Sequence, residues 1–217
     1  MTQIHSEERV EYLRPAALPG IELLCGYNST RRWRVFHETY TFCGCETASA
    51  RWRYRNKELP LSDRTNMLME PGETHCNTAV HKSANFKVVL INPEIFINSA
   101  KELGLAVTPH LRFGYSEDSR LFSTLYRFCQ AVETGADILE QQSWFATCIG
   151  VFLEHAERKP PTMVVSNGHR AVERVKRYLR ERFSESITLR ELAAISGFSR
   201  FHLVHTFTKL VCERRRL

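Results

Sequence analysis

Apolar and polar residues alternate from Ala48 to Arg55, with Ala48, Ala50, Trp52 and Tyr54 set against Ser49, Arg51, Arg53 and Arg55. A period of two predicts a strand with one dry and one wet face, followed by a turn at Asn56-Lys57. Ile21 to Cys25, Trp33 to Phe42 and Phe86 to Asn92 are further predicted strands, and Pro71-Gly72-Glu73 predicts a turn. Short strands in succession, without intervening helices, predict a barrel or a sandwich. Further along the period changes. Leu121, Leu125 and Phe128 recur at helical spacing, as do Phe145, Ile149, Phe152 and Leu153, and Glu133 to Asp137 breaks the two segments apart. Two helices are predicted, and as an antiparallel hairpin they either cover the strand unit or offer an apolar seam to a second subunit. Arg158 to Thr162, which contains Pro160 and Pro161, and Asn167-Gly168 cannot continue a helix and mark a linker.

Beyond that linker Val172, Val175, Leu179 and Phe183 follow one helical stripe, while Arg170, Glu173, Arg174, Arg177 and Arg180 lie largely away from it. This predicts an amphipathic helix of about four turns. Thr188 and Glu191 form a capping-box pattern for a short second helix whose inner stripe is Leu189, Leu192 and Ala193. Gly197 ends that helix, and Ser199 is placed to cap a third one starting at Arg200. The two short helices and their glycine turn make a predicted helix-turn-helix. On the third helix Leu203, Phe207 and Leu210 cluster on one side, read as core. Phe201, Val204, His205 and Thr208 cluster on the other, read as a DNA-facing surface. With the helix amino terminus in a major groove, Arg200 reaches guanine or phosphate, and Phe201 or Val204 a thymine methyl. The alternative puts Phe201 in a satellite core and leaves His202 and His205 as plain surface residues.

Composition narrows the classes. The chain has 217 residues, 43% of them hydrophobic and 25% charged, which suits one or two globular units and argues against wholesale disorder. No apolar run approaches the roughly 18 residues that span a bilayer, and the first residues do not resemble an export signal. A cytoplasmic location is expected. Seven scattered cysteines then read as small apolar fillers. Cys43 and Cys45 share one face if they lie on a strand, but the pair is not a zinc site. The net charge of +6 is uneven: from Pro161 onward 12 basic residues face 5 acidic ones, and the rest of the chain is close to neutral. A neutral unit joined to a basic one points to a polyanionic partner. Neither a metal cluster nor a nucleophile with an oriented base is visible, so no enzymatic activity and no cofactor are expected.

The run Leu-Arg-Glu-Leu-Ala-Ala-Ile-Ser-Gly-Phe-Ser-Arg-Phe-His-Leu-Val-His-Thr-Phe-Thr-Lys-Leu-Val, from Leu189 to Val211, resembles the first helix-turn-helix of the AraC/XylS family of bacterial transcription regulators. The resemblance implies that Phe201, Val204 and His205 face the major groove. Many members have arginine where His205 stands, and the shorter, mostly neutral histidine weakens the guanine contact. Phe36 to Tyr40 and Met69 to His75 resemble recurring elements of the family's effector domain. The implied fold is α+β: a cupin-like β-barrel with a helical hairpin over residues 10–157, a linker at 158–166, and a small all-α helix-turn-helix subdomain over 167–217. It also implies a homodimer and a small-molecule pocket, for which Trp33, His37, Tyr40, Trp52 and Tyr54 are the candidates. Trp52 and Tyr54 serve equally as core, and His37 and His75 as groups that hold backbone. Family members continue into a linking helix and a second helix-turn-helix, whereas here only Cys212 to Leu217 follow. The expectation is a shortened, effector-responsive regulator with weak, salt-sensitive DNA binding. The alternative is an effector-binding protein without operator recognition that acts by pairing with a full-length relative.

Overall fold

The computed structural model describes residues 7–55, 57–105, 111, 114–155 and 168–208. The expectations placed on Asn56, on the linker and on Leu210 lie outside those residues. Seven strands come first: β1 (Arg9–Leu13), β2 (Ile21–Ser29), β3 (Arg34–Phe36), β4 (Tyr40–Tyr54), β5 (Lys57–Leu61), β6 (Asn66–Met69) and β7 (Thr74–Ile91). Helix α1 (Pro93–Glu102), strand β8 (Tyr115–Ser116) and helices α2 (Ser119–Glu133) and α3 (Ile138–Leu153) follow, then α4 (Gly168–Glu181), α5 (Leu189–Ser196) and α6 (Arg200–Phe207). The predicted strand over Trp33 to Phe42 is two strands, because His37 to Thr39 turns the chain between β3 and β4. Among the described residues no helix is long and apolar enough to cross a membrane.

The strands form one antiparallel sheet in the order β1-β2-β7-β4-β6-β8, with β3 added to β7 and β5 added to β4. The expected barrel is not formed: the sheet is open. Closure requires the two edges to share a hydrogen-bond ladder along staggered strands. Here β1 and β8 end the path without pairing, and β8 and β3 are only 2 and 3 residues long. The sheet curls instead. Its axis is the long β4–β7 pair, whose register slips between Cys45 and Thr47, between Thr47 and Ala50, and between Arg51 and Trp52. Bulges of this kind bend and twist a sheet. They also reverse the facing of the side chains: Tyr40 and Phe42 of β4 join the core under the helices, whereas Ala48, Ala50 and Trp52 join a second core with Cys43 and Cys45.

The larger core lies where the convex side meets the helices. Phe42 packs on Phe152 at 5.2 Å between ring centroids, Phe152 on Phe96 at 5.1 Å, and Phe96 stacks on Tyr40 at 3.9 Å. Gly44 lets α2 lie close to the sheet, since a β-carbon there would stand 2.7 Å from Leu125 Cδ2. Tyr126, next on α2, donates its hydroxyl to the Gly44 carbonyl at 3.2 Å. One ion pair adds a fixed point: Lys87 Nζ of β7 lies 2.5 Å from Glu133, whose carboxylate also accepts from Cys25 Sγ at 3.0 Å. Burial alone would raise the Glu133 carboxyl, and the hydrogen bonds from Lys87, Cys25 and Tyr27 outweigh it, leaving it below the usual carboxylate range.

The carboxyl-terminal helices follow the sequence signals closely. Thr188 and Glu191 form the capping box, Gly197 adopts a left-handed φ of 74°, and Ser199 Oγ accepts from His202 N–H at 3.2 Å. Val172 and Val175 are buried and Leu179 is half-buried, but Phe183 lies past the end of α4 and is 86% exposed. The three helices pack on the rest of the described structure. Val175, Leu189, Leu192, Phe201, Leu203 and Val204 belong to the same apolar cluster as Phe96, Phe128, Phe145 and Phe152.

Two outcomes test this packing. Phe42→Ala removes a fully buried ring and lowers unfolding stability by about 3–5 kcal/mol in urea titrations, whereas Phe183→Ala changes it by less than about 0.5 kcal/mol. Because the folded Glu133 carboxyl titrates below its unfolded value, its contribution is present above the unfolded pKa and lost as pH falls through the folded one. The wild-type urea midpoint therefore exceeds that of Glu133→Gln at neutral pH, and the gap closes as the pH falls below about 4.

Candidate functional site

The concave side of the sheet forms a partly open cavity of about 120 Å³. Its wall is drawn from six strands, with Leu24 of β2, Val35 of β3, Thr41 of β4, Leu61 of β5, Met67 of β6 and Val88 of β7 among the lining residues. Alternation explains which side chains arrive. On β7, Phe86, Val88 and Leu90 face the cavity, and a slip of the β4–β7 register then brings His75 and Asn77, two apart, to the same wall.

Of the five predicted pocket residues, Trp33, His37 and Trp52 line the cavity and Tyr40 and Tyr54 do not. Tyr40 lies on the helix side of β4, where it stacks on Phe96. Tyr54 has the parity of Trp52 and stacks on it at 5.1 Å, but its hydroxyl donates to Glu73 and accepts from the Glu70 N–H, which fixes it as part of the turn at Pro71. The arginine face of that strand points outward: Arg51 and Arg53 are exposed, and Arg55 pairs with Glu70 at 2.6 Å and Glu73 at 2.8 Å.

His75 completes the polar part of the cavity, although the sequence marks it only through the turn before it. Its ring lies 5.4 Å from that of His37 and 6.1 Å from that of Trp52. Burial, with a smaller effect of His37, pushes the His75 imidazole down to about 4, and burial lowers His37 as well. Both rings are thus held toward the neutral form. The buried Nε1 of Trp33 and Nδ1 of His75 find no well-aligned hydrogen-bond partner among the described residues. Arg31 stands at the rim, paired with Glu8 at 2.8 Å, and Ser29 Oγ donates to the same carboxylate at 2.9 Å. No group of three or more metal-ligating side chains occurs among the described residues.

The helix-turn-helix is the second candidate surface, and α6 is oriented differently from the sequence expectation. Phe201 and Val204 do not project outward: they are 4% and 8% exposed. The reason is a neighbour the local pattern could not reveal, since α1 and α3 pack against α6 and join the same core. Ser199 Oγ donates to the Glu102 carbonyl at the end of α1 at 3.1 Å, and Arg200 pairs with the Glu102 carboxylate at 3.0 Å. Gln142 of α3 accepts from the first amide of α5, Leu189 N–H, at 2.8 Å. His205 and Thr208 are exposed, while Leu203 is buried and Phe207 half-buried as expected for the inner side. His202 stacks on Phe198 at 4.0 Å. The sequence brings Arg200, His205 and Thr208 to the surface and withholds Phe201 and Val204 from it.

No protein-family profile matches the chain. It is 21% identical over 176 residues to YbfI, an uncharacterized HTH-type transcriptional regulator of Bacillus subtilis strain 168, in an alignment covering 80% of this chain. The chain spans 64% of the length of that relative. Among solved structures, the AraC-like transcriptional activator CuxR is 11% identical with a TM-score of 0.45, the match covering 95% of this chain and 84% of that one. A cupin protein from Bacteroides fragilis, BF4112, is 10% identical with a TM-score of 0.33 and matches 42% of this chain and 82% of its own. Read with the capped α5–α6 pair, the sequence match makes this chain a distant homologue of helix-turn-helix-type transcriptional regulators.

Proposed function

We propose that the protein is a DNA-binding transcription regulator in which a small molecule in the curled sheet sets the freedom of α6. The observation that carries this reading is the α5–Gly197–α6 motif fastened through Glu102 and Gln142 to the helices that back the sensing sheet. In the docked arrangement Phe201 and Val204 are buried and Arg200 is engaged by a carboxylate, so three of the five candidate DNA contacts are occupied within the protein. Release of α6 offers them, with His205 and Thr208, to a major groove. The exposed Arg170, Arg177, Arg180 and Arg190 supply charge for phosphates. A ligand acts as a switch here if it binds the docked and released arrangements with different affinity.

The burial of Phe201 and Val204 also favours a second reading, in which the protein senses and dimerises without reading an operator and acts by pairing with a relative that does. Mixed dimers on co-expression with such a relative, together with no duplex binding by this chain alone, would select it.

Fluorescence anisotropy with a mixed-sequence DNA duplex tests the first reading. Binding at about 50 mM salt should weaken at least about tenfold by about 200 mM, and its absence at the lower salt overturns the regulator. Glu102→Gln removes one half-exposed ion pair from the docked state and frees Arg200, so it should tighten duplex binding by about two- to fivefold.

A further inference from the structure

The wall of the cavity states what it can hold. Cys43, Cys45, Ala50, Met67, Val88 and Leu90 bring carbon and sulfur to it and offer a ligand little hydrogen bonding. Against that background two buried polar atoms, Trp33 Nε1 and His75 Nδ1, have no well-aligned hydrogen-bond partner among the described residues; the Glu73 backbone lies close enough to the His75 imidazole to favour its protonated form, against the larger effect of burial, and His75 is 9% exposed. An indole N–H only donates, and a neutral imidazole nitrogen donates or accepts according to its tautomer. Leaving such atoms unsatisfied in an apolar site is costly, and a ligand group that reaches them recovers that cost.

Charge is excluded on both sides. No Asp or Glu is among the described lining residues, so none of them balances a cationic ligand. The one lining cation, Arg31, is at the rim and already paired with Glu8. The two imidazoles are held neutral. A buried, unpaired carboxylate or ammonium would go uncompensated. Ser29 is committed to Glu8 and Thr41 to Thr39, so the polar groups left to a ligand are those of Trp33, His37, His75 and Asn77, few against a wall that is otherwise apolar. Size favours a small ligand: the volume of about 120 Å³ is close to the ~150 Å³ apolar cavity that accepts benzene.

We infer that the cavity binds a small uncharged molecule with about the bulk of one benzene ring and a single hydroxyl, the hydroxyl meeting Trp33 Nε1 and His75 Nδ1. This deepens the proposed function and rests on the cavity being its sensing site. Phenol is the probe. Titrated into the full chain, it should bind by calorimetry and shift the indole N–H resonance of Trp33, identified by its loss in Trp33→Phe. Benzene, which lacks the hydroxyl, should bind about five- to tenfold more weakly than phenol, and Trp33→Phe should weaken phenol by a similar factor. The benzene comparison uses the wild-type chain, so it stands even if Trp33→Phe does not fold. Benzoate or glucose binding more tightly than phenol, equal affinity for benzene and phenol, or no phenol binding up to its solubility overturns the ligand class. Those results leave duplex binding untouched. Conversely, phenol binding in a chain that ignores DNA keeps the ligand class and removes the regulator.

Discussion

The antiparallel ladder between β4 and β7 divides two apolar surfaces that need different partners. Along its Tyr40–Gly44 end, alternate residues seat the helices on one side and line the cavity on the other. A regular ladder would keep the same parity throughout. The slips after Cys45 reverse it, so that Trp52 arrives in the concave wall although Tyr40 and Phe42, of the same parity in sequence, lie under α1 and α3. The curl, the cavity and the seat of the helices all follow from these irregularities. The edges stay unjoined because the strands available there are too short to form the missing ladder.

Magnitudes decide what fastens the carboxyl-terminal helices. The Arg200–Glu102 pair is partly exposed, and such pairs are worth about 0–1 kcal/mol. Burying a phenylalanine and a valine is worth about 1.5–3 kcal/mol each. Apolar contact of Phe201 and Val204 therefore supplies most of the attachment, and Glu102 with Gln142 sets its orientation. Releasing α6 exposes both side chains, so contacts made elsewhere must offset several kcal/mol before the released arrangement is populated.

Local chemistry was legible in the sequence and long-range pairing was not. The Thr188–Glu191 box, the left-handed Gly197 and the Ser199 cap could be read because each involves residues within a few positions of one another. The same holds for the strand around Trp52, the two long helices and the turn at Pro71. The position of Tyr40 could not be read, because its facing relative to Trp52 depends on bulges in a ladder whose partners, from Cys45 with Phe86 to Trp52 with Asn77, are distant in sequence. Phe201 and Val204 were misplaced for a related reason: within α6 they form a stripe opposite Leu203, and only the approach of α1 and α3 makes that stripe interior. His75 escaped notice as a cavity residue since nothing local separates it from a histidine that steadies a turn.

Lys87 sits on β7 between Phe86 and Val88, both of which touch the cavity, while its own side chain crosses to the opposite surface and grips Glu133 at the last residue of α2. The strand is thus placed like a rocker, with the cavity on one arm and a helix on the other. The ammonium is held by both carboxylate oxygens, so whatever part of a backbone shift here the four-carbon stem does not take up is passed to Glu133. That part pulls on the joint where α2 hands over to α3, and α3 is the helix against which α6 rests.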